Sequence, residues 1–360
     1  LSQHPLIDLA NDREVKQAKG FRKAASELNG AALAQHYKAE LGAAPRRTEA
    51  GKRYLGNHPS KPPSERKNNR DEEHIAQAMT RFCREREVPL YLPRDAGELR
   101  PIDFAVPMMS ASPDKSQGDA DPNKGVGKVD LLAVGPEDVM TVVRMRYLAS
   151  DATRGGTGDT PLRQLLEGLA HTAFAEANRA AIQAEIDAAE GEGPTLSEDP
   201  PMLVLLASQR YWELCRRREA QKGAGWIREL ERLAREMGEE SGVQIIFAGL
   251  KLPGDPEWSY DESGPLMTAA PALEPAWERN AGKVKPRSAA KPKAKEAVEE
   301  VVEADLSKPI RPYSIRETYE SGERIQHPTL GEGVVQREAG PGKILVQFDD
   351  KPSLLIHGRD

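Results

Sequence analysis

Between residues 71 and 250 the hydrophobic period switches repeatedly between that of a helix and that of a strand, and the order of those switches restricts the fold more than any other feature. Asp71 stands where it can cap a helix carrying Ile75, Met79 and Phe82 on one face. The chain then extends through residues 89–92 toward a first strand at 102–106. Residues 129–134 and 139–147 read as a hairpin turned by Gly135, Pro136, Glu137 and Asp138. Leu162, Leu165, Leu166, Leu169 and Ala173 recur at helical spacing, which predicts one long helix over 160–188. A buried strand at 202–207, one or two helices over 209–240 interrupted at 223–225, and a further buried strand at 243–250 complete the order α-β-β-β-α-β-α-β. Elements that alternate in this way bury a sheet between helical layers, so the fold class is α/β.

The flanks have a different character. Ala18, Phe21, Ala25, Leu28 and Ala32 alternate at spacings of three and four, which predicts an amphipathic helix over 13–41 with a break signal at Asn29 and Gly30. Residues 1–44 are therefore expected to be a helical N-terminal extension docked on another part of the protein. In residues 45–70, Arg46, Arg47, Lys52, Arg53, Lys61, Arg66, Lys67 and Arg70 face only Glu49 and Glu65, without an apolar period, and this stretch reads as a basic linker. The α/β domain spans 71–278. In residues 279–310, Lys283, Lys285, Arg287, Lys291, Lys293 and Lys295 alternate with Ala and Pro, a composition that cannot bury a core and predicts a flexible linker. Residues 311–360 carry Gly331, Gly333, Gly340 and Gly342 at turns. There Ile344, Val346 and Phe348 alternate with Leu345 and Gln347, which predicts a small all-β barrel with the first three inside.

Charge and composition exclude several classes. With 51 Lys and Arg against 57 Asp and Glu the net charge is −6, so the protein is not basic throughout, although local basic patches remain. The longest apolar run, 202–207, is far short of the roughly 20 residues a membrane helix needs, so no membrane partner is expected. Cys83 and Cys215 are too few for a disulfide framework or a zinc cluster. The opening Leu1, Ser2, Gln3 and His4 show no charged-then-apolar leader, so the expected location is the reducing cytoplasm; the missing initiator Met suggests a trimmed or incomplete N-terminus. Phosphate-loop, zinc-protease and nucleophile-elbow motifs are absent from the sequence, and Gly125-Val126-Gly127 precedes a strand, unlike a dinucleotide fingerprint.

The element order, together with Gly127, Lys128, Val129, Asp130, Leu131 and Leu132 opening the hairpin, resembles the PD-(D/E)XK nuclease superfamily over about residues 71–250. The resemblance implies an αβββαβ restriction-endonuclease-like core. In that superfamily an Asp on one strand and an acidic-x-Lys triplet on its hairpin partner hold Mg²⁺ and activate water, because paired carboxylates bind a hard cation and the cation acidifies its water. Asp130 fits the first position and is the candidate metal ligand. The triplet reads Arg144-Met145-Arg146, which puts permanent positive charge where an acid belongs. A carboxylate from another element would have to replace it. Glu72 and Glu73 on the first helix and Glu167, one turn after Gln164 on the helix after the hairpin, are the candidates; the competing reading makes the first two helix N-terminal charges and Glu167 a solvated residue. Lys128, Arg144 and Arg146 are candidate phosphate contacts, or the arginines pair with Asp130. Either way both arginines need anions.

The run Gly322, Ile325, His327, Pro328, Gly331, Gly333 and Val335, followed by residues 344–348, resembles the Tudor-like, SH3-type barrel of UvrD/PcrA-type helicases and, more loosely, the RNA-polymerase-binding domain of CarD-type regulators. That resemblance implies a docking module for RNA polymerase or a DNA-repair protein. Taken together, the expectation is a nucleic-acid-associated protein with DNA as a partner and a catalytically degenerate nuclease-like fold. Two alternatives stand beside it: an active Mg²⁺-dependent endonuclease with a relocated carboxylate, and a protein-interaction scaffold that touches no nucleic acid.

Overall fold

The computed structural model describes residues 3–67, 70–110, 125–155, 158–189, 193–218, 225–277, 302–340, 342–348 and 352–358, and the chain divides into two compact units, residues 1–279 and 280–360. The basic run Lys283 to Lys295 lies outside the described residues.

The first unit is mixed α/β. It opens with four helices, α1 (Pro5–Asn11), α2 (Arg13–Lys16), α3 (Phe21–Glu27) and α4 (Gly30–Ala43). It continues with α5 (Asp71–Arg86), β1 (Leu90–Tyr91), β2 (Glu98–Pro107), β3 (Lys128–Val134) and β4 (Met140–Arg146). Then come α6 (Pro161–Ala177), α7 (Arg179–Asp187), β5 (Met202–Ser208), α8 (Gln209–Arg218), α9 (Gly225–Ser241), β6 (Gln244–Lys251), β7 (Trp258–Asp261), β8 (Gly264–Met267) and β9 (Ala272–Pro275). Seven strands form one sheet in the order β1-β2-β3-β4-β5-β6-β9, and β7 pairs with β8 separately. The neighbours from β1 to β4 are antiparallel, β4 and β5 are parallel across the α6–α7 crossover, β5 and β6 are parallel across α8–α9, and β9 closes the edge antiparallel to β6. The hairpin expected at residues 129–147 is β3–β4, turned by the short 3₁₀ segment Pro136–Asp138.

Side chains of a strand alternate between faces, and the core divides accordingly. Leu132, Val142, Leu203 and Leu205 face one buried cluster with Leu162, Leu165, Leu166 and Leu169 of α6; Leu131, Val143, Val204 and Leu206 face the other with Ile75 and Met79 of α5. Gly168 lets α6 lie close on the sheet, since a Cβ there would come within 2.9 Å of Leu203 Cδ1. Trp212, Trp226 and Trp277, far apart in sequence, meet in space with Trp277 edge-on to both others at 5.4 and 5.7 Å.

Several expectations need correction. The helical extension 1–44 is docked as its apolar face implied, and the correction is one of degree: Leu6, Phe21, Leu33 and Tyr37 are buried in the same cluster as α6 and α9, and buried Glu40 binds both the His4 ring and the Leu6 amide. The predicted helix over 13–41 is three helices, because Gln17 to Gly20 interrupt it and Asn29 caps α4 through the amide of Ala32 at 2.8 Å. The helix predicted over 160–188 is two, divided at Asn178, whose side-chain amide donates to the carbonyls of Phe174 and Pro45. The basic stretch 45–70 is partly folded in: Arg47 and Tyr54 are buried and hydrogen-bonded to each other, and Arg66 pairs with Asp71 and lies over the Trp258 ring. Strands β7, β8 and β9 were not anticipated, being short and set among Gly and Pro.

The second unit is a five-stranded sheet ordered β10 (Arg311–Pro312), β11 (Arg324–His327), β12 (Gly331–Gly340), β13 (Lys343–Phe348) and β14 (Pro352–Ile356). Its ends approach each other, since Tyr313 Oη donates to the Ile356 carbonyl and the Gly358 amide donates to the Glu317 carbonyl. Ile344, Val346 and Phe348 are buried with Ile325, Val335 and Tyr319, as the alternation predicted. The linker ends earlier than expected: the Val302 amide already binds Gln336 and the Asp305 amide binds the Gly322 carbonyl.

Candidate functional site

The β3–β4 hairpin and α6 bring most of the anticipated residues together. Asp130 and Arg144 lie on the sheet face that α6 covers, and Arg146, two residues on, shares it. Thr160 caps α6, accepting from the Arg163 amide at 3.2 Å and donating to the Val15 carbonyl at 2.6 Å, with Pro161 in the first turn. This anchoring presents Glu167, one turn further along, to the hairpin.

The central contact is a bridge. Arg144 Nη1 donates to Asp130 Oδ2 and its Nη2 to Glu167 Oε2, each at 2.7 Å. Asp130 Oδ2 also accepts from the Met145 amide at 2.8 Å. Arg163 holds the other oxygen of Glu167 at 2.8 Å, and Arg146 binds Asp159 at 3.0 Å and approaches Glu167 at 3.6 Å. Gln164 is buried and donates to Asp159 as well. From the other side of the sheet, Glu72 accepts the Tyr147 amide at 3.2 Å.

The electrostatics follow from this packing. Burial alone would raise the carboxyl of Glu167, but Arg144, Arg163 and Arg146 outweigh it and hold it down at about 2. Burial likewise works against the charge of Arg146, yet Asp159, Asp130, Glu167 and Glu72 keep it protonated above its usual range. Glu72 is pushed up by burial, which outweighs the main-chain hydrogen bonds it accepts and the pull of Arg146. His171, one turn beyond Glu167, is held neutral by burial and by Arg144, its ring falling to about 4 while Nε2 contacts the Val126 carbonyl at 2.7 Å. Three guanidinia thus balance Asp130, Asp159 and Glu167, and Glu72 is the carboxyl displaced toward neutrality.

Not every candidate joins the network. Glu73 makes no hydrogen bond or ion pair among the described residues, its charge acting on the neighbouring His74; Glu72 is the member of the pair that reaches the hairpin. Lys128 is exposed at the start of β3, in register with Pro107. Asp159, Arg163 and His171 were missed. Asp159 precedes the Thr160-Pro161 helix start, and Arg163 and His171 are spaced four residues either side of Glu167 on α6, a pattern that places all three on one face.

A divalent ion held by Asp130 and Glu167 would have to take the place of the Arg144 guanidinium. As arranged, the two carboxylates present no open pair of oxygens to a cation, and among the described residues no group of three or more His, Cys, Asp or Glu side chains is placed to hold a metal ion. In the second unit His327 and His357 serve the fold: Nδ1 of His327 accepts from the amides of Thr329 and Leu330, and Nδ1 of His357 from that of Tyr319. No family model, curated protein or solved structure matches the chain.

Proposed function

We propose that the first unit is a nuclease-like fold of the PD-(D/E)XK kind whose centre is closed by an arginine, and that the protein associates with DNA as a binding or scaffold component rather than cutting it. The observation that carries this reading is the Arg144 bridge, one guanidinium 2.7 Å from both Asp130 and Glu167. A guanidinium supplies positive charge to the two carboxylates, but it neither carries a water nor acidifies one, and it does not deprotonate to act as a base. Support comes also from the mixed sheet with its α6–α7 crossover between the parallel strands β4 and β5, and from Glu167 on α6, which shares the Arg144 guanidinium with Asp130. On this reading the residues do not fit Mg²⁺, and the five-stranded second unit is a docking module for RNA polymerase or a repair protein.

The test is incubation of the full chain with duplex and single-stranded DNA in Mg²⁺ or Mn²⁺, following binding and cleavage together across a salt series. Salt-dependent binding without cleavage supports the reading. Cleavage abolished by Asp130→Ala and by Glu167→Gln would instead establish the active nuclease. Absence of DNA binding at low salt would leave the scaffold reading.

A further inference from the structure

Along the outer edge of β2, where β1 pairs only with Glu98 and Leu99, a cleft of about 890 Å³ opens between residues 53–58, the last turn of α5 and α7. Three guanidinia line it, those of Arg53, Arg84 and Arg100, together with the His58 ring. Asp103 and Glu185 line it too, but both are committed to the main chain. Asp103 accepts from the Gly56 amide at 2.8 Å and the Phe104 amide at 2.9 Å; Glu185 accepts from the Tyr54 amide at 2.9 Å and the Leu55 amide at 2.8 Å. The cations are less engaged. Arg84 has the Ile102 carbonyl at 3.1 Å as its hydrogen-bond partner, Arg53 lies 3.9 Å from Glu185, and Arg100 pairs with Asp138 where both side chains are more than half exposed. Exposed pairs of this kind contribute little and exchange readily for a better anion.

His58 is the most firmly placed of the group. Its ring stacks on Phe104 with centroids 3.9 Å apart and planes inclined by 6°, and Nε2 lies 2.6 Å from Asp103 Oδ1. An ionised carboxylate only accepts, so Asp103 takes the hydrogen on Nε2, and Nδ1 donates to an anion only when the ring carries its second proton. A dianionic group with several acceptor oxygens suits three guanidinia better than a lone carboxylate does, and the His58 ring adds a donor when it is protonated.

We propose that this cleft binds a phosphate group, carried by a nucleotide or by a nucleic-acid backbone, with Arg84 and Arg100 on the phosphate oxygens and His58 at its edge. The site is separate from the Arg144 centre and does not depend on whether that centre is catalytic.

Calorimetric titration of the full chain with inorganic phosphate, adenosine 5′-monophosphate, adenosine and a short thymidylate oligonucleotide tests it. Binding of phosphate and the monophosphate but not of adenosine assigns the ligand to a small nucleotide; binding of the oligonucleotide alone assigns it to a backbone phosphate. In either case the double variant Arg84→Gln and Arg100→Gln weakens binding by roughly tenfold or more, as expected for loss of charge-assisted hydrogen bonds. Arg235→Gln, on α9 away from the cleft, leaves it unchanged. Should the double variant misfold, the single Arg100→Gln, whose side chain is 58% exposed, must weaken binding in the same direction. Unchanged affinity in these variants, or no binding of any phosphate-bearing probe, overturns the proposal.

Discussion

Replacing Arg144 by Met keeps most of the aliphatic stem and removes the charge that Asp130 and Glu167 share. Glu167 is held at about 2 against its ordinary 4.5. At 1.36 kcal/mol for each unit of pKa, that displacement corresponds to about 3 kcal/mol of folding stability. Because the folded value is depressed, the contribution is fully present above about pH 4.5 and is lost as the pH falls toward 2, with less than half remaining near pH 3. In Arg144→Met, burial and the neighbouring Asp130 push Glu167 back up while Arg163 and Arg146 pull it down less effectively than three guanidinia did. Since Arg163 and Arg146 remain, only part of that contribution is lost, and the variant is expected to be about 2 kcal/mol less stable at pH 7, with a deficit that narrows as the pH is lowered to 3. All four Trp residues lie in the first unit, so urea unfolding followed by Trp fluorescence reports on that unit. A second arm adds Mn²⁺: if the guanidinium stands in for a cation, the metal should restore part of the lost stability in the variant and none in the parent chain. A deficit below about 1 kcal/mol that is independent of pH would refute the reasoning, since the carboxylates would then not depend on Arg144.

Other perturbations probe the packing around the site. Gly30→Ala places a Cβ within 2.4 Å of Glu236 Cβ and 2.6 Å of the Glu236 main chain, so α4 must move off α9; a loss of about 1–3 kcal/mol by the same unfolding assay is expected. Cys83 is buried and its thiol is pushed up to about 11, so in the native protein at pH 8 it should react with an aromatic disulfide reagent only at the rate of unfolding. Gly331 has φ of +82° at the β11–β12 turn with open space around its Cα. Gly331→Val should therefore cost the second unit about 1–2 kcal/mol through backbone strain alone, visible as faster amide exchange in β11 and β12.

The architecture was legible where periodicity was long and unmixed. The apolar strands β5 and β6, the hairpin β3–β4 and the leucine face of α6 could be read because each repeats one period over six or more residues. The N-terminal helices could be read as helices but not as core, since a helix with apolar residues on one face does not say what covers it. The division at Asn178 was hidden because Ile182 and Ile186 continue the apolar spacing on the other side of the break. In the basic stretch 45–70, composition suggested a solvated linker, whereas Arg47 is buried by main-chain carbonyls that no count of charges reveals.

The same distinction governs the site. A strand of alternating sides puts the first and third residues of a triplet on one face, so Arg144 and Arg146 had to share the face of Asp130, while Met145 turned into the cluster beneath α5. Two guanidinia against a single carboxylate, in a place that α6 closes from water, are tolerated only if further anions arrive from elsewhere. The strand sequence establishes that requirement; it does not say who meets it. Glu167 could be proposed because the superfamily resemblance allows a carboxylate to move to the helix after the hairpin, whereas its spacing alone read equally as a solvated position. Asp159 could not, since it lies in the connection before the helix cap, where a carboxylate ordinarily serves the helix dipole, and only the folded chain shows it turned onto Arg146 instead. With Asp130, Glu167 and Asp159 set against Arg144, Arg146 and Arg163, the charges of this face are balanced by side chains alone, and a cation entering between Asp130 and Glu167 would have to displace the Arg144 guanidinium from both.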